Sequence, residues 1–402
     1  MVTIDAIQAA YDRIRESMFL SPCAHSETFS EIAGNEVFLK LENLQMTGSY
    51  KERGALNKIL TLTTEERSRG LIAASAGNHA QAVSYHATKR NIAAHICMPL
   101  ATPLNKVMAT RRFGAEVILY GANYDEACAE ALHRSNQMGL TFLHPFDDEQ
   151  VIAGQGTLGI EILQQCPDVE VVVAPIGGGG LISGMACALK ALKPGIRVIG
   201  VQSSRLPSMK AAVEAHHPVT VPVATTLADG IAVRRAGEVT LPMVEKYVDE
   251  IVTVEEEEIA KAILLLLERE KTLAEGAGAV AAAALVNEKT SCRNAKVVAL
   301  VSGGNIDVSM LSRIIERGLV KDGRLIRLRI HLPDYPGALH RLTGVLAQHR
   351  ANIVETSYDR AYFGVNIGDT TIDLTMETRG SEHVEEISAA LREELYEFER
   401  IV

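Results

Sequence analysis

The chain has 402 residues, 47% of them apolar and 22% charged, the composition of a soluble globular protein long enough for two or three domains. A formal charge of -10, only 4% aromatic residues and no Trp argue against the basic patches and stacking platforms that nucleic acids and anionic membranes require. No apolar run reaches bilayer length; "AILLLLE" at 262–268 is far too short.

The N-terminal stretch "MVTIDAIQAAYDRIRES" is amphipathic and lacks a signal peptide's apolar core and cleavage site, which predicts a cytoplasmic protein. The cysteines, at 23, 97, 128, 166, 187 and 292, are scattered without C-x-x-C or zinc spacing, so reduced and mostly buried thiols are expected. No metal site is predicted, since the adjacent His216 and His217 lack helical ligand spacing. After the apolar-rich run "VFLKLENLQMT" comes "GSYKERGA", where Lys51 opens a helical pattern between small neighbours. Such a lysine is a solvated charge or a reactive amine, and the rest of the chain decides which.

From about residue 35 to 320, short β-branched runs alternate with Ala-rich helical patterns. "RGLIAAS", "IAAHICMP", "AEVILYG", "VEVVVAPIG", "IRVIGVQ" and "AKVVALVSGG" read as buried strands; "GNHAQAVSYHATKR" and "LISGMACALKAL" read as helices. This alternation predicts an α/β fold with mainly parallel sheet, in which ligands bind at the carboxyl ends of strands. "AASAGNH", "APIGGGGL" and "LVSGGN" all fall at such ends. In "VTVEEEEIAKAILLLLE", Thr253 is expected to cap a helix whose first turn is acidic.

The pattern changes at "KDGR" (321–324). "LIRLRIHL" alternates as a half-exposed strand, and "PGALHRLTGVLAQH" follows as a helix with Leu339, Leu342, Val345 and Leu346 on one face. "NIVETSYDR" and "TTIDLTMET" read as strands, "SEHVEEISAALREELYEF" as a helix, and "ERIV" as a last short strand. The predicted domains are therefore 1–320 and a small α+β module at 325–402.

"GGGGLISG" (177–184) is neither a Walker loop, because Met185 and Ala186 follow Gly184, nor a dinucleotide fingerprint, whose third glycine would fall at Ile182. It remains a glycine-rich strand-to-helix turn whose amides and helix dipole suit a phosphate. "SAGNHAQA" (75–82) has the same layout and suits a carboxylate, with Asn78 adding a neutral side chain. "VSGGNID" (301–307) places the hydroxyl of Ser302 at a third strand end. A lysine, a phosphate cradle, a carboxylate cradle and a hydroxyl suit pyridoxal phosphate, with an amino acid as substrate.

"GSYKERGA", "SAGNHAQ", "PIGGGGLISG", "TLADGIAV" and "SGGN" resemble the threonine/serine dehydratases (threonine ammonia-lyases) of pyridoxal phosphate fold type II, over essentially residues 1–320. The tail "IHLPDYPGALHRLTGVLAQHRANI" is similar to an ACT domain, a small amino-acid-sensing module of βαββαβ order. The resemblance implies that Lys51 is the Schiff-base lysine and Tyr50 its neighbour on the cofactor ring. It implies Asn78 at the phenolic oxygen, Gly177, Gly178, Gly179, Gly180 and Leu181 at the phosphate, and Ser302 at the pyridine nitrogen. Ser75, Gly77, Asn78 and His79 would take the substrate carboxylate, and Lys51, once freed, the Cα proton.

The implied reaction is β-elimination of L-threonine to 2-oxobutanoate and ammonia, with L-serine as a second substrate. Rival readings are a β-replacement synthase, a serine racemase, a hydroxyaspartate dehydratase or a non-catalytic amino-acid sensor. A racemase needs a proton-carrying residue where this chain has Ala76, and the racemase-like metal site needs carboxylates where it has Gln202, Leu206 and Ser208. In the tail, an amino-acid effector is expected at the turn near Gly337, completed by Asn352, with a second tail across a dimer interface as one arrangement. Both resemblances imply a homodimer or homotetramer. Isoleucine biosynthesis and catabolism are both compatible with the sequence.

Overall fold

Each run read above as a buried strand becomes a parallel strand, and these strands gather into two sheets; Glu116–Leu119, at the edge of its sheet, is not buried as expected, with Leu119 40% exposed. The computed structural model describes residues 1–359 and 368–401. They divide into two units, Met1–Ile306 and Asp307–Val402, with the helix Val308–Lys321 belonging to the second.

In the first unit, the smaller sheet has the order Glu116–Leu119, Ala94–Met98, Leu71–Ala74, Thr141–Phe142, all parallel. The larger sheet has the order Cys23–His25, Glu36–Leu41, Lys296–Val301, Val171–Pro175, Arg197–Ser203, Glu250–Val254. Of these strands only Cys23–His25 runs antiparallel to its neighbour. Val171–Pro175 is buried at every position and Lys296–Val301 at all but the first, as parallel strands covered on both faces require. Each Val or Ile withdrawn from water there contributes about 1.5–3 kcal/mol. These two strands are neighbours, so the loops that follow them emerge side by side at one edge.

Across four strands of this sheet lies the helix Gly276–Val286, "GAGAVAAAALV", with all 11 residues buried. A helix apolar all round has to be enclosed, and its small side chains let it lie close to the strands. Two glycine contacts bring further helices together. A Cβ at Gly154, in the helix Glu149–Gln165, would sit 2.6 Å from the Arg53 carbonyl and 2.8 Å from Gly54 Cα. A Cβ at Gly156 would sit 2.9 Å from the Gly184 carbonyl. The first contact seats the helix Lys51–Thr61, and the second seats the helix Gly180–Leu192.

The second unit carries an antiparallel sheet in the order Asn352–Asp359, Asp369–Glu377, Leu325–Pro333, Phe398–Arg400. Ile326, Leu328, Ile330, Ile372 and Leu374 on its inner face pack with Leu342 and Leu346 of Ala338–Gln348 and Ile387 and Leu391 of Ser381–Glu393. The outer face is polar, with Asp373 accepting from both Arg329 Nε (2.8 Å) and Nη2 (2.9 Å). Strand and helix order match the predicted module; Arg360 and Val402, which the sequence reading placed in strands, lie outside the described residues.

Two local expectations fail. Thr253 is the fourth residue of Glu250–Val254, and the helix Glu256–Glu268 is capped by Glu255, which forms a reciprocal capping box with Glu258. A carboxylate oxygen does the capping work that the sequence reading gave to a hydroxyl two positions earlier. Leu339 is 40% exposed, outside the core that holds Leu342 and Leu346.

Candidate active site

Lys51 is the first residue of its helix and is half-buried. The turn before it is laced to the loop after Lys296–Val301: Tyr50 N–H donates to Ser302 O (3.1 Å), Gly304 N–H donates to Gly48 O (2.9 Å), and Ser49 bridges Gly303. The amine donates to the carbonyl of Pro145 (3.3 Å) and lies 5.3 Å from the centre of the Tyr50 ring. Lys51, Tyr50, Phe146, Gly177–Leu181 and Ile231 line one cavity.

The glycine loop fits a phosphate. Gly179 has φ +102°, a left-handed conformation, and a side chain there would strike Met209 and Thr240. Side chains at Gly178 and Gly180 would strike Phe146, and one at Gly177 would meet Ile231 and Val233. Gly180 opens a helix of 13 residues, so the N–H groups of its first turn have no intrahelical partner and face the cavity end with the positive end of the dipole. Glycines are needed here both for packing and for close approach.

At the edge of the smaller sheet, Asn78 and His79 begin the helix Asn78–Thr88. Their first-turn N–H groups are likewise free of intrahelical partners. Ser75 N–H is committed to Cys97 O (3.1 Å), and the Ser75 hydroxyl accepts from Gly77 N–H (3.2 Å). The available amides in this loop are thus those of Asn78 and His79 rather than Ser75 and Gly77. His79 is buried with its ring nitrogen 3.0 Å from Leu143 O. Burial, assisted by the charge of Lys51, pushes its pKa down to about 3, so it is neutral. The Ser302 hydroxyl is buried and donates to Ala277 O (3.3 Å).

Sequence reasoning missed two groups. The first is Glu275 and Asn305, which hold the two ends of the Asn78 carboxamide at 2.6 and 2.8 Å. The second is a fully buried ionic cluster behind the lysine. Arg53 donates to Glu42 (2.7 Å) and Glu161 (2.7 Å), and Lys40 donates to Glu161 (2.8 Å) and to Ser21 O (2.8 Å). Against the cost of burial, the guanidinium of Arg53 holds the Glu42 carboxyl below the usual carboxylate range. The available signal was a charge inside each apolar run, Lys40 in "VFLKL" and Glu161 in "GIEIL".

The proposed metal positions of a racemase are otherwise engaged. Gln202 accepts from Lys210 N–H (3.0 Å), Ser208 donates to Val233 O (2.6 Å), and Leu206 is core. In the second unit, Gly337 has φ +92° and precedes the helix Ala338–Gln348, while Asn352 donates to Glu377 (2.8 Å). The two are not brought together within one copy. Asn352 pairs with Glu377, which pairs with Leu325 at the start of its strand; Gly337 follows Pro333, at that strand's other end.

A family model described as pyridoxal-phosphate dependent enzyme matches residues 14–303. The L-threonine ammonia-lyase of Thermotoga maritima is 49% identical over 99% of both chains. Among solved structures, maize serine racemase superposes with a TM-score of 0.75 and 33% identity, covering 80% of this chain and 98% of its own. The processed form of threonine deaminase isoform 2 from Solanum lycopersicum superposes with a TM-score of 0.73 and 38% identity, covering 78% of this chain and 91% of that one. With its lysine, glycine loop and two parallel sheets arranged as described, the chain belongs to the pyridoxal-phosphate dependent enzymes of fold type II.

Proposed function

We propose that the protein is a threonine ammonia-lyase: it eliminates the β-hydroxyl of L-threonine and releases 2-oxobutanoate and ammonia, with L-serine giving pyruvate. The carrying observation is one cavity lined by Lys51, Tyr50 and the Gly177–Leu181 loop, in a chain alike over its whole length to an L-threonine ammonia-lyase. Pyridoxal phosphate, when bound, supplies the electron sink that makes Cα acidic. Lys51 would anchor it through its amine and would take the Cα proton of the substrate. The first-turn amides after Gly179 would hold its phosphate, and Tyr50 would pack on its ring. Asn78 would donate to the ring oxygen, and the neutral hydroxyl of Ser302 would meet the ring nitrogen. Asn78 and His79 amides receive the substrate carboxylate, beside an imidazole that burial keeps uncharged. Ala76 packs with the core of the smaller sheet and carries no proton, which favours elimination over racemisation.

The Lys51→Ala variant tests this reading. It should lose threonine turnover and the absorbance of lysine-bound cofactor; turnover within tenfold of wild type would sink the assignment, since a positioned base contributes roughly 10²–10⁴-fold.

Residues 325–402 form an ACT-like regulatory domain in this reading, and the enzyme is a cytoplasmic homo-oligomer; no helix among the described residues is long and apolar enough to cross a membrane. The opposite placement of Gly337 and Asn352 favours an effector site shared by two copies. Asn352–Asp359 is an edge strand. Antiparallel pairing of two such edges would bring Asn352 of one copy to the end where the other carries Gly337. Tyr335 and Leu339, both 40% exposed or more, stand ready at that end.

A further inference from the structure

Glu275 has no part in the reaction as described, yet it stands where three functional loops meet. It is 4% exposed and precedes the helix Gly276–Val286. Its N–H donates to Gly303 O (3.0 Å), and its Oε1 accepts from Asn78 Nδ2 (2.6 Å). A side chain at Gly303 would overlap that oxygen, and one at Gly230 would come within 3.3 Å of it. At the other end of the carboxamide, Asn305 Nδ2 donates to Asn78 Oδ1 (2.8 Å) and to Thr47 O (2.7 Å), which commits both of its hydrogens.

These partners settle which way the Asn78 amide faces. Turned over, its oxygen would oppose a carboxylate oxygen and its nitrogen would oppose the hydrogens of Asn305, and neither contact is a hydrogen bond. In the observed orientation one Nδ2 hydrogen goes to Glu275 and the second is left to donate elsewhere.

We propose that Glu275 is a positioning residue: its carboxylate locks the Asn78 carboxamide and so sets the hydrogen bond that Asn78 gives to the cofactor's ring oxygen. The proposal rests on the reading of Asn78 as a cofactor contact. Burial, then the nearby Asp229, raise the Glu275 pKa, while Asn78, Lys106 and Lys51 oppose the rise, and the result is about 7. The lock therefore loosens in mild acid. A protonated carboxyl can donate to a reversed Asn78 oxygen, whereas the carboxylate can only accept.

The test uses the full-length holoenzyme of wild type and of Glu275→Gln, Glu275→Asp and Asn78→Ala. For each, the absorption spectrum of the bound cofactor is followed against pH and the cofactor dissociation constant is measured, with circular dichroism as the check on folding. Wild type should show a spectral step near neutral pH that Glu275→Gln lacks. Glu275→Gln and Asn78→Ala should change the spectrum in the same sense, with cofactor affinity weakened roughly tenfold by loss of a charge-assisted contact. Glu275→Asp, which keeps the charge, should restore the step in part. A Glu275→Gln enzyme with the wild-type spectrum and pH profile overturns the proposal while an altered Asn78→Ala spectrum leaves the Asn78 reading standing. An unaltered Asn78→Ala spectrum removes that reading and the proposal together. Weakened affinity with no spectral change would mark a purely structural role and also overturn it.

Discussion

At the scale of single residues, burial of Glu275 has a measurable cost. Burial lifts its pKa from the usual 4.5 to about 7, so the folded chain holds this proton where the unfolded chain has already lost it. The contribution to stability is complete below the unfolded value and is lost as pH rises through the folded one, a difference of up to about 3 kcal/mol. Glu275→Gln should therefore match wild type in urea unfolding at about pH 4.5 and exceed it increasingly up to about pH 8; a gap independent of pH would contradict the assignment. The glycine loop was legible in the sequence because it acts through backbone: a run of glycines costs chain entropy that close backbone approach offsets. The sequence proposes Lys51 by the same argument, since a phosphate cradle and a carboxylate cradle together call for an amine, and Lys51 lines one cavity with the glycine loop. Glu275 and Asn305 were not, because "TLAEGAG" and "GGNID" contain nothing unusual until the fold brings them against Asn78. The same holds for the cluster of Arg53, Glu42, Glu161 and Lys40, whose partners lie as far as 121 residues apart.

Among elements, the helix carrying Lys51 lies with its backbone directly against Gly154 of the helix Glu149–Gln165. Gly154→Ala would drive a methyl group against the Arg53 carbonyl and Gly54 Cα, at 2.6 and 2.8 Å. Overpacking of this kind costs about 1–3 kcal/mol and should lower kcat by shifting the start of the helix. Denaturant titration and threonine kinetics check both; unchanged values would mean that the helices do not meet there as described. The strands were readable because parallel strands enclosed on both faces appear as unbroken apolar runs. The helix Gly276–Val286 escaped because burial on every side erases the 3.6-residue period on which such readings depend. Thr253 misled because Glu255 met the same orphan N–H groups with a carboxylate, a choice made by the end of the strand rather than by cap preference.

For the whole molecule, the family match ends at residue 303, before the second unit begins. Truncation after Gly323 should leave threonine turnover in place and abolish any response to isoleucine or valine. The full-length enzyme should shift its threonine affinity by roughly 5–150-fold, the usual range of coupling between sites. A truncated enzyme that responds like the full chain would refute a regulatory tail. The change from continuous to alternating strands after "KDGR" was legible, but the units divide earlier, between Ile306 and Asp307; the strand register that separates Gly337 from Asn352 was not legible, since it depends on which strands pair. That separation carries a further consequence through mass action. A sensor whose halves sit on different copies exists only where copies associate, so the effector is counted together with the protein itself. Diluting the enzyme below the dissociation constant of its oligomer should mute the response while each copy goes on turning over threonine, and adding the effector should pull the copies back together. Such an enzyme measures its own abundance and its regulator's in a single reading.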